Sequence, residues 1–272
     1  MVYIIKIVFC DIDGTLSKRG VISKKNKELI KEFTKNDKMF ILVTGRTVKY
    51  AVEISKSVGA SKYVICCNGS IIYDYESNKI IYKQVINYDD MKKLFEIVNK
   101  HNSRIVIGGI DKTFSNKPNY LKDETLIDDV TEAFYNSTPV VQVTISHKDK
   151  GVINDIISEV KNIDTLKVIN KHRSLYDKNY KEYGNIWIDV APKNVNKGLA
   201  VATLLKHLNI ELKNSVRIGD DLNDMSMFFD EGINVAVENA VNELKEKADT
   251  ITLPCNKDGV AVILDRIIRE KL

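Results

Sequence analysis

Three short apolar runs, largely β-branched, constrain this fold more than any other feature. Each is closed by a polar turn and separated from the next by a helix-compatible stretch. They are Tyr3-Ile4-Ile5-Lys6-Ile7-Val8-Phe9-Cys10, Met39-Phe40-Ile41-Leu42-Val43 and Tyr63-Val64-Ile65-Cys66-Cys67. None alternates strictly between polar and apolar, as expected of strands covered on both faces. They stop at Asp11, at Thr44-Gly45-Arg46 and at Asn68-Gly69. Between them, residues 23–36 carry a stripe of Leu29, Ile30 and Phe33, and residues 48–58 fit a second helix. Strand–helix–strand units in succession predict a parallel sheet with crossover helices, a Rossmann-like α/β core.

The rhythm then changes. Residues 70–84 fit a hairpin with its turn near Glu76-Ser77-Asn78. Helices are expected over residues 89–101 and 149–161, and strands over 104–109, 140–147 and 165–170. This stretch is rich in tyrosine: Tyr120, Tyr135, Tyr176, Tyr180 and Tyr183. The parallel pattern is expected to resume at Ile186-Trp187-Ile188-Asp189-Val190. A helix over 197–208 follows, then a strand over 215–218 closing at Gly219-Asp220-Asp221. A helix over 224–229, strands over 233–236 and 250–252, and a helix opened by Asp258-Gly259 complete the chain. A chain of 272 residues is long for one core. The expected organisation is a parallel α/β core of residues 1–84 and 186–272 with an inserted α+β domain, residues 85–185. Hinges are expected near residues 83–87 and 184–186.

Composition excludes several classes. Lys and Arg total 41 against 37 for Asp and Glu, a small and scattered excess that argues against a nucleic-acid surface. No apolar run reaches the 18 or so residues of a membrane span, and the first ten residues do not form a signal peptide. Cys10, Cys66, Cys67 and Cys255 match no zinc spacing and are too few for a disulfide framework, so they read as reduced thiols of a cytoplasmic protein.

Polar residues of chemical interest fall where the strands end: Asp11 and Asp13, Thr44, Asn68, and Asp220 with Asp224. In open parallel sheets, ligands bind outside the carboxyl ends of the strands. Asp11, Asp13 and Asp220 would bring three carboxylates together. Two such charges about 4 Å apart repel by about 4 kcal/mol at an effective dielectric near 20. Hard oxygen donors without His or Cys favour Mg²⁺ over zinc. A carboxylate can attack phosphorus, and a second carboxylate two residues on can protonate the leaving alkoxide and then activate water. Gly14 lets the backbone approach a phosphate, Thr44 offers a hydroxyl and Lys197 a point charge. A calcium-loop reading fails, because Ile22 stands where the closing Glu is needed.

These motifs resemble those of the haloacid dehalogenase superfamily of phosphohydrolases, in detail its Cof-type branch with a type IIB cap. Asp11-Ile12-Asp13-Gly14-Thr15-Leu16 is similar to the first motif and Thr44-Gly45-Arg46 to the second. Lys197 in Asn196-Lys197-Gly198 is similar to the third, and Gly219-Asp220-Asp221-Leu222-Asn223-Asp224 to the fourth. The resemblance implies that Asp11 is the nucleophile and Asp13 the general acid/base, with Thr44 and Lys197 completing the catalytic set. It also implies that Mg²⁺ is held by Asp11, Asp220 and the backbone carbonyl of Asp13, with Asp224 in support. Gly45, Arg46, Asn68, Gly69 and Asn223 would lie around the phosphate. One departure stands out: Glu238 occupies the place of a glycine that often precedes Asn239-Ala240 in this branch.

The resulting expectation is an enzyme that hydrolyses a small phosphorylated metabolite, either a sugar phosphate or a nucleotide or cofactor phosphate. It would act as a monomer or weak homodimer. Two alternatives share the phospho-acceptor aspartate. One is a phosphomutase of the same superfamily; the other is a non-enzymatic phospho-acceptor module, disfavoured by the inserted cap. His101, His147, His172 and His207 lie off the expected site.

Overall fold

The first strand, β1 (Ile7–Cys10), is buried along its whole length, and residues 4–6 precede it without strand geometry. The computed structural model describes residues 4–108, 112–117, 124–173 and 184–270. Helix α1 (Lys24–Lys35) begins where the Ser23 hydroxyl accepts the Asn26 N–H at 3.0 Å. It buries Ile30 and Phe33 in the core, each worth roughly 1.5–3 kcal/mol of transfer free energy. Strand β2 (Met39–Val43) and helix α2 (Val48–Val58) follow. The helix stops at Gly59, which adopts the left-handed conformation that side-chain-bearing residues avoid. Strands β3 (Tyr63–Cys66), β4 (Ile71–Asp74) and β5 (Lys79–Lys83) come next. β3 ends at Cys66, so Cys67 belongs to the following turn.

The chain then builds helix α3 (Tyr88–Lys100), strands β6 (Arg104–Gly108), β7 (Thr113–Ser115) and β8 (Glu124–Leu126), and helix α4 (Glu132–Ser137). Strand β9 (Val143–His147), helix α5 (Lys150–Lys161), and strands β10 (Leu166–Arg173) and β11 (Ile186–Pro192) follow. The remaining elements are α6 (Lys197–Leu208), β12 (Ser215–Gly219), β13 (Ile233–Val237), α7 (Asn242–Glu246), β14 (Thr250–Thr252) and α8 (Gly259–Ile268). The expected helix over 224–229 is instead a 3₁₀ turn, Leu222–Met227. There the Asp221 and Asp224 side chains reciprocally cap the backbone.

Two sheets result. The first runs β14-β13-β12-β1-β2-β3-β4-β5, with β14 to β3 parallel and β4 antiparallel to β3. The second runs β10-β11-β9-β6-β7-β8. Accordingly the chain divides into one unit from the N-terminal part up to Tyr82 plus Asn196 onward, and another of Lys83–Val195. Each has its own apolar core.

The run at 186–190 does not resume the parallel sheet. It is part of β11, antiparallel to both β9 and β10, so the boundary expected at residue 186 falls at Asn196, and the second crossing at Val195 rather than at 184–186. A buried apolar run looks the same in a parallel sheet and in the centre of an antiparallel one.

In the second unit Tyr135 serves packing. Its ring lies 5.6 Å from that of Tyr88 and its hydroxyl donates to the Ile86 carbonyl at 3.0 Å. Tyr120, Tyr176, Tyr180 and Tyr183 lie outside the described residues. No helix among the described residues is long and apolar enough to cross a membrane, and all four cysteines are free thiols.

Candidate active site

β1 lies between β2 and β12, so Asp11, Thr44 and Asp220 follow the carboxyl ends of three adjacent parallel strands. Register carries through to the loop, where the Asp11 N–H donates to the Ile218 carbonyl at 3.0 Å. Past Asp11 the chain turns sharply. Gly14 has φ +98°, and a Cβ there would stand 2.1 Å from an Asp220 carboxylate oxygen. Only glycine lets the two loops close this far. Thr15, fully buried, donates its hydroxyl to Asp220 Oδ1 at 2.6 Å.

Lys197 reaches the same place from α6. Asn196 caps that helix by accepting the Leu199 N–H at 2.7 Å. Gly198 lets the helix lie against the 222–227 turn, since a Cβ there would meet the Ser226 carbonyl at 1.8 Å. Its N–H donates to Ser226 Oγ at 3.1 Å. Lys197 Nζ then donates to both Asp11 Oδ1 and Asp224 Oδ1, each at 2.6 Å, with all three side chains nearly or wholly buried. An ammonium in the first turn of a helix opposes the helix dipole, and here the two carboxylates offset that. The other Asp224 oxygen accepts the N–H groups of Asp220 and Asp221 at 2.8 and 3.1 Å.

Asp11, Asp220 and Asp224 therefore gather, one oxygen of each lying within 4.8 Å of the others. Burial pushes the Asp11 carboxyl well above the usual range; Lys197 works against this, while Asp224 and Asp220 add to it. Burial also drives Asp220 up to about 7, opposed by the Thr15 hydroxyl and reinforced by the Asp224 charge. For Lys197, burial disfavours the charged form, but the charges of Asp11 and Asp224 outweigh it and hold the ammonium above its ordinary value. Three carboxylates around one ammonium leave two excess negative charges, so the cluster attracts protons or a divalent cation. Its donors are all hard oxygens, with no His or Cys among them, which suits such a cation.

Asp13 is placed differently. Its carboxylate is partly exposed and takes a two-point contact from Arg46, Nε to Oδ2 at 2.8 Å and Nη2 to Oδ1 at 3.1 Å. The Arg46 guanidinium also lies over the Tyr50 ring, 5.2 Å from its centroid. Among the described residues, the three-carboxylate cluster does not include the Asp13 side chain.

The second and third strand ends are stitched together. Cys67, Asn68 and Gly69 have φ of +51°, +55° and +95° in succession, an uncommon conformation for the first of them. It is held by Cys67 N–H to the Arg46 carbonyl and Asn68 N–H to the Thr44 carbonyl, both 3.0 Å. Thr44 is buried, and its hydroxyl accepts the Arg46 N–H at 3.1 Å. A Cβ on Gly45 would press on the Asn68 amide at 3.0 Å, and one on Gly69 would meet the Asn196 carbonyl at 2.3 Å. Asn223 Nδ2 donates to Asn68 Oδ1 at 3.1 Å, which ties this turn to the loop after β12.

Residues that sequence reasoning did not single out also shape the site. Thr15 was legible only as part of the first motif, and Ser226 carried no signal. Asn239, next to the exposed Glu238, donates to the Gly14 carbonyl and accepts the Cys255 N–H, both at 2.8 Å. The glutamate thus leaves this tie between loops intact. The histidines with described side chains are engaged elsewhere. His101 pairs with Glu159, His147 accepts the Asp149 N–H, and His207 packs edge-on against Tyr63.

The chain as a whole has relatives among known proteins. The chain is 26% identical over 259 residues to the 5-amino-6-(5-phospho-D-ribitylamino)uracil phosphatase YcsE of Bacillus subtilis (strain 168), covering 94% of this chain and 93% of that one. It is 26% identical to YwtE of the same organism, which bears the same enzyme name, over 97% of this chain and 98% of that one. Among solved structures, a haloacid dehalogenase-like hydrolase from Bacteroides thetaiotaomicron superposes with a TM-score of 0.82 at 23% identity, over 97% of this chain and 99% of that one. TM0651 from Thermotoga maritima gives 0.80 at 24%, over 96% and 97%. The family model for haloacid dehalogenase-like hydrolases matches residues 8–264, nearly the whole chain, and this protein belongs to that family.

Proposed function

We propose that this enzyme is a Mg²⁺-dependent phosphatase that hydrolyses a small phosphorylated metabolite through an aspartyl phosphate on Asp11. The observation that carries the reading is the Lys197 ammonium bridging Asp11 and Asp224 within a buried three-carboxylate cluster. Asp11, Asp220 and Asp224 offer the carboxylates that would hold or support Mg²⁺, with the Asp13 carbonyl as a further donor. When bound, the ion would neutralise excess charge and screen an anionic substrate from its carboxylate nucleophile.

The chain's own residues account for the rest. Lys197 orients Asp11 through Oδ1, and the other Asp11 oxygen attacks phosphorus. The new O–P bond forms as the ester O–P bond breaks, and Asp13 gives its proton to the departing alkoxide. Asp13, now a carboxylate, takes a proton from water. That water attacks the same phosphorus, and the Asp11–phosphorus bond breaks to release orthophosphate. Thr44, Gly45, Asn68, Gly69 and Asn223 form a stitched rim suited to hold phosphate oxygens in place, and positioning with charge stabilisation supplies most of such catalysis.

Substrate selection is assigned to the inserted unit, as its likeness to a type IIB cap implies. Both named Bacillus relatives act on the phosphate ester of a ribityl chain, and one structural neighbour of the same class is a sugar phosphatase. Sugar phosphates and nucleotide or cofactor phosphates therefore head the list of substrates. The test is phosphate release from such a panel, that ribitylamino compound included, with Mg²⁺ or EDTA. Release to water supports the reading. Transfer of phosphate between positions of one sugar without release would instead support a phosphomutase.

A further inference from the structure

The second-motif arginine is the group whose observed partner differs most from its expected one. It was expected at the phosphate, yet its Nε and Nη2 both bond Asp13. We propose that Arg46 is a positioning residue for the acid/base carboxylate of Asp13 and not a ligand of the substrate's phosphate. This assignment rests on the phosphatase reading above.

Three observations carry it. First, both Asp13 oxygens are engaged, one by Nε and one by Nη2, at 2.8 and 3.1 Å. A planar two-point contact fixes orientation as well as distance, which a lysine cannot do. Second, the guanidinium is backed by the Tyr50 ring at 5.2 Å, so the fork has a rigid support. Third, the Arg46 backbone is held on both sides, its N–H by the Thr44 hydroxyl and its carbonyl by the Cys67 N–H. The fork therefore projects from a fixed base.

Each Asp13 oxygen keeps a second lone pair outside the fork, where the proton given to the leaving oxygen is carried, but the carboxyl needs a holder to aim it. It sits at the partly exposed start of a glycine turn, unlike Asp11 and Asp224, which are buried against Lys197. Removing Arg46 would free its carboxylate to sample rotamers in which it no longer meets the leaving oxygen. The pair is half-exposed, where an ion pair adds at most about 1 kcal/mol to stability, so the expected consequence is chiefly kinetic.

The signature is sensitivity to the leaving group. An alkoxide cannot depart without a proton, whereas p-nitrophenolate can. General acid catalysis contributes on the order of 10²–10⁴, and a loosely held acid forfeits part of that. For Arg46→Met the expected fall in kcat/KM is about tenfold or more on a sugar phosphate, against about threefold or less on p-nitrophenyl phosphate. Orthophosphate should bind the variant and the wild type within about twofold, as competitive inhibitor and by calorimetry with Mg²⁺, which needs no turnover. Arg46→Lys should recover only part of the alkyl-ester rate. Equal losses on both esters with weakened orthophosphate binding would overturn the assignment and make Arg46 a phosphate ligand. Unchanged rates on both would overturn it too, leaving a surface ion pair. If the wild type releases phosphate from nothing in the panel, the phosphatase reading itself fails, and the Arg46 assignment fails with it.

Discussion

Lys197 shows how one side chain sets the character of the site. Its ammonium is nearly inaccessible to water and is held between two carboxylates, so removing it strands buried negative charge. Breaking such a pair typically costs about 3–5 kcal/mol. Lys197→Met should therefore lower the melting temperature of the metal-free protein, and Mg²⁺ should restore part of the loss by supplying the missing charge. Thermal denaturation in EDTA and in Mg²⁺ reads this directly; a variant as stable as wild type in EDTA would mean that the carboxylates are already neutral. Thr15 makes a smaller claim. Its hydroxyl is the donor on Asp220 Oδ1, and groups that orient metal ligands are commonly worth 10–100-fold in affinity. Thr15→Val should raise the Mg²⁺ concentration for half-maximal activity about tenfold or more, with little change in the rate at saturating Mg²⁺.

At the scale of elements, the approach of α6 to the 222–227 turn delivers the lysine. Gly198 permits it, with its would-be Cβ 1.8 Å from the Ser226 carbonyl. Alanine inside a helix normally stabilises relative to glycine by about 0.5–1 kcal/mol. Gly198→Ala should do the reverse here, pushing α6 off the turn and lowering kcat while helix content by circular dichroism stays unchanged; an unaltered kcat would show that the helix can shift without moving Nζ. Much of this layout was legible beforehand. The runs ending at Asp11, Thr44 and Asn68 are real neighbouring strands because fully buried parallel strands leave unbroken apolar stretches closed by polar turns. β11 was not legible as part of a second sheet, because Ile186, Ile188 and Val190 would be equally apolar in either sheet. The partner of Arg46 was equally hidden. Asp13 is 33 residues away in sequence, and nothing in a Thr-Gly-Arg run distinguishes a carboxylate of the protein from a phosphate of the substrate.

For the whole molecule, folding gathers carboxylates that repel one another, and this gives its stability a pH dependence. The folded state keeps the Asp11 and Asp220 carboxyls protonated to higher pH than the unfolded chain does, Asp220 to about 7. Between the ordinary carboxyl range and about 7, the folded protein binds more protons than the unfolded one, so this contribution to stability falls as pH rises. In EDTA the protein should lose stability relative to Asp220→Asn between pH 5 and pH 7.5. In Mg²⁺ that difference should shrink, because a ligand held by the folded state alone stabilises it, by ~2.7 kcal/mol at a hundred times Kd. Urea titrations at the two pH values would show it, and an identical pH dependence for the two proteins in EDTA would contradict it. Whether Asp11 carries the phosphoryl group is read from phosphate release by wild type and Asp11→Asn, in Mg²⁺ and in EDTA, on p-nitrophenyl phosphate and phosphorylated metabolites. The expected result is Mg²⁺-dependent release that falls to background in the variant. Undiminished release by a folded Asp11→Asn protein would contradict it.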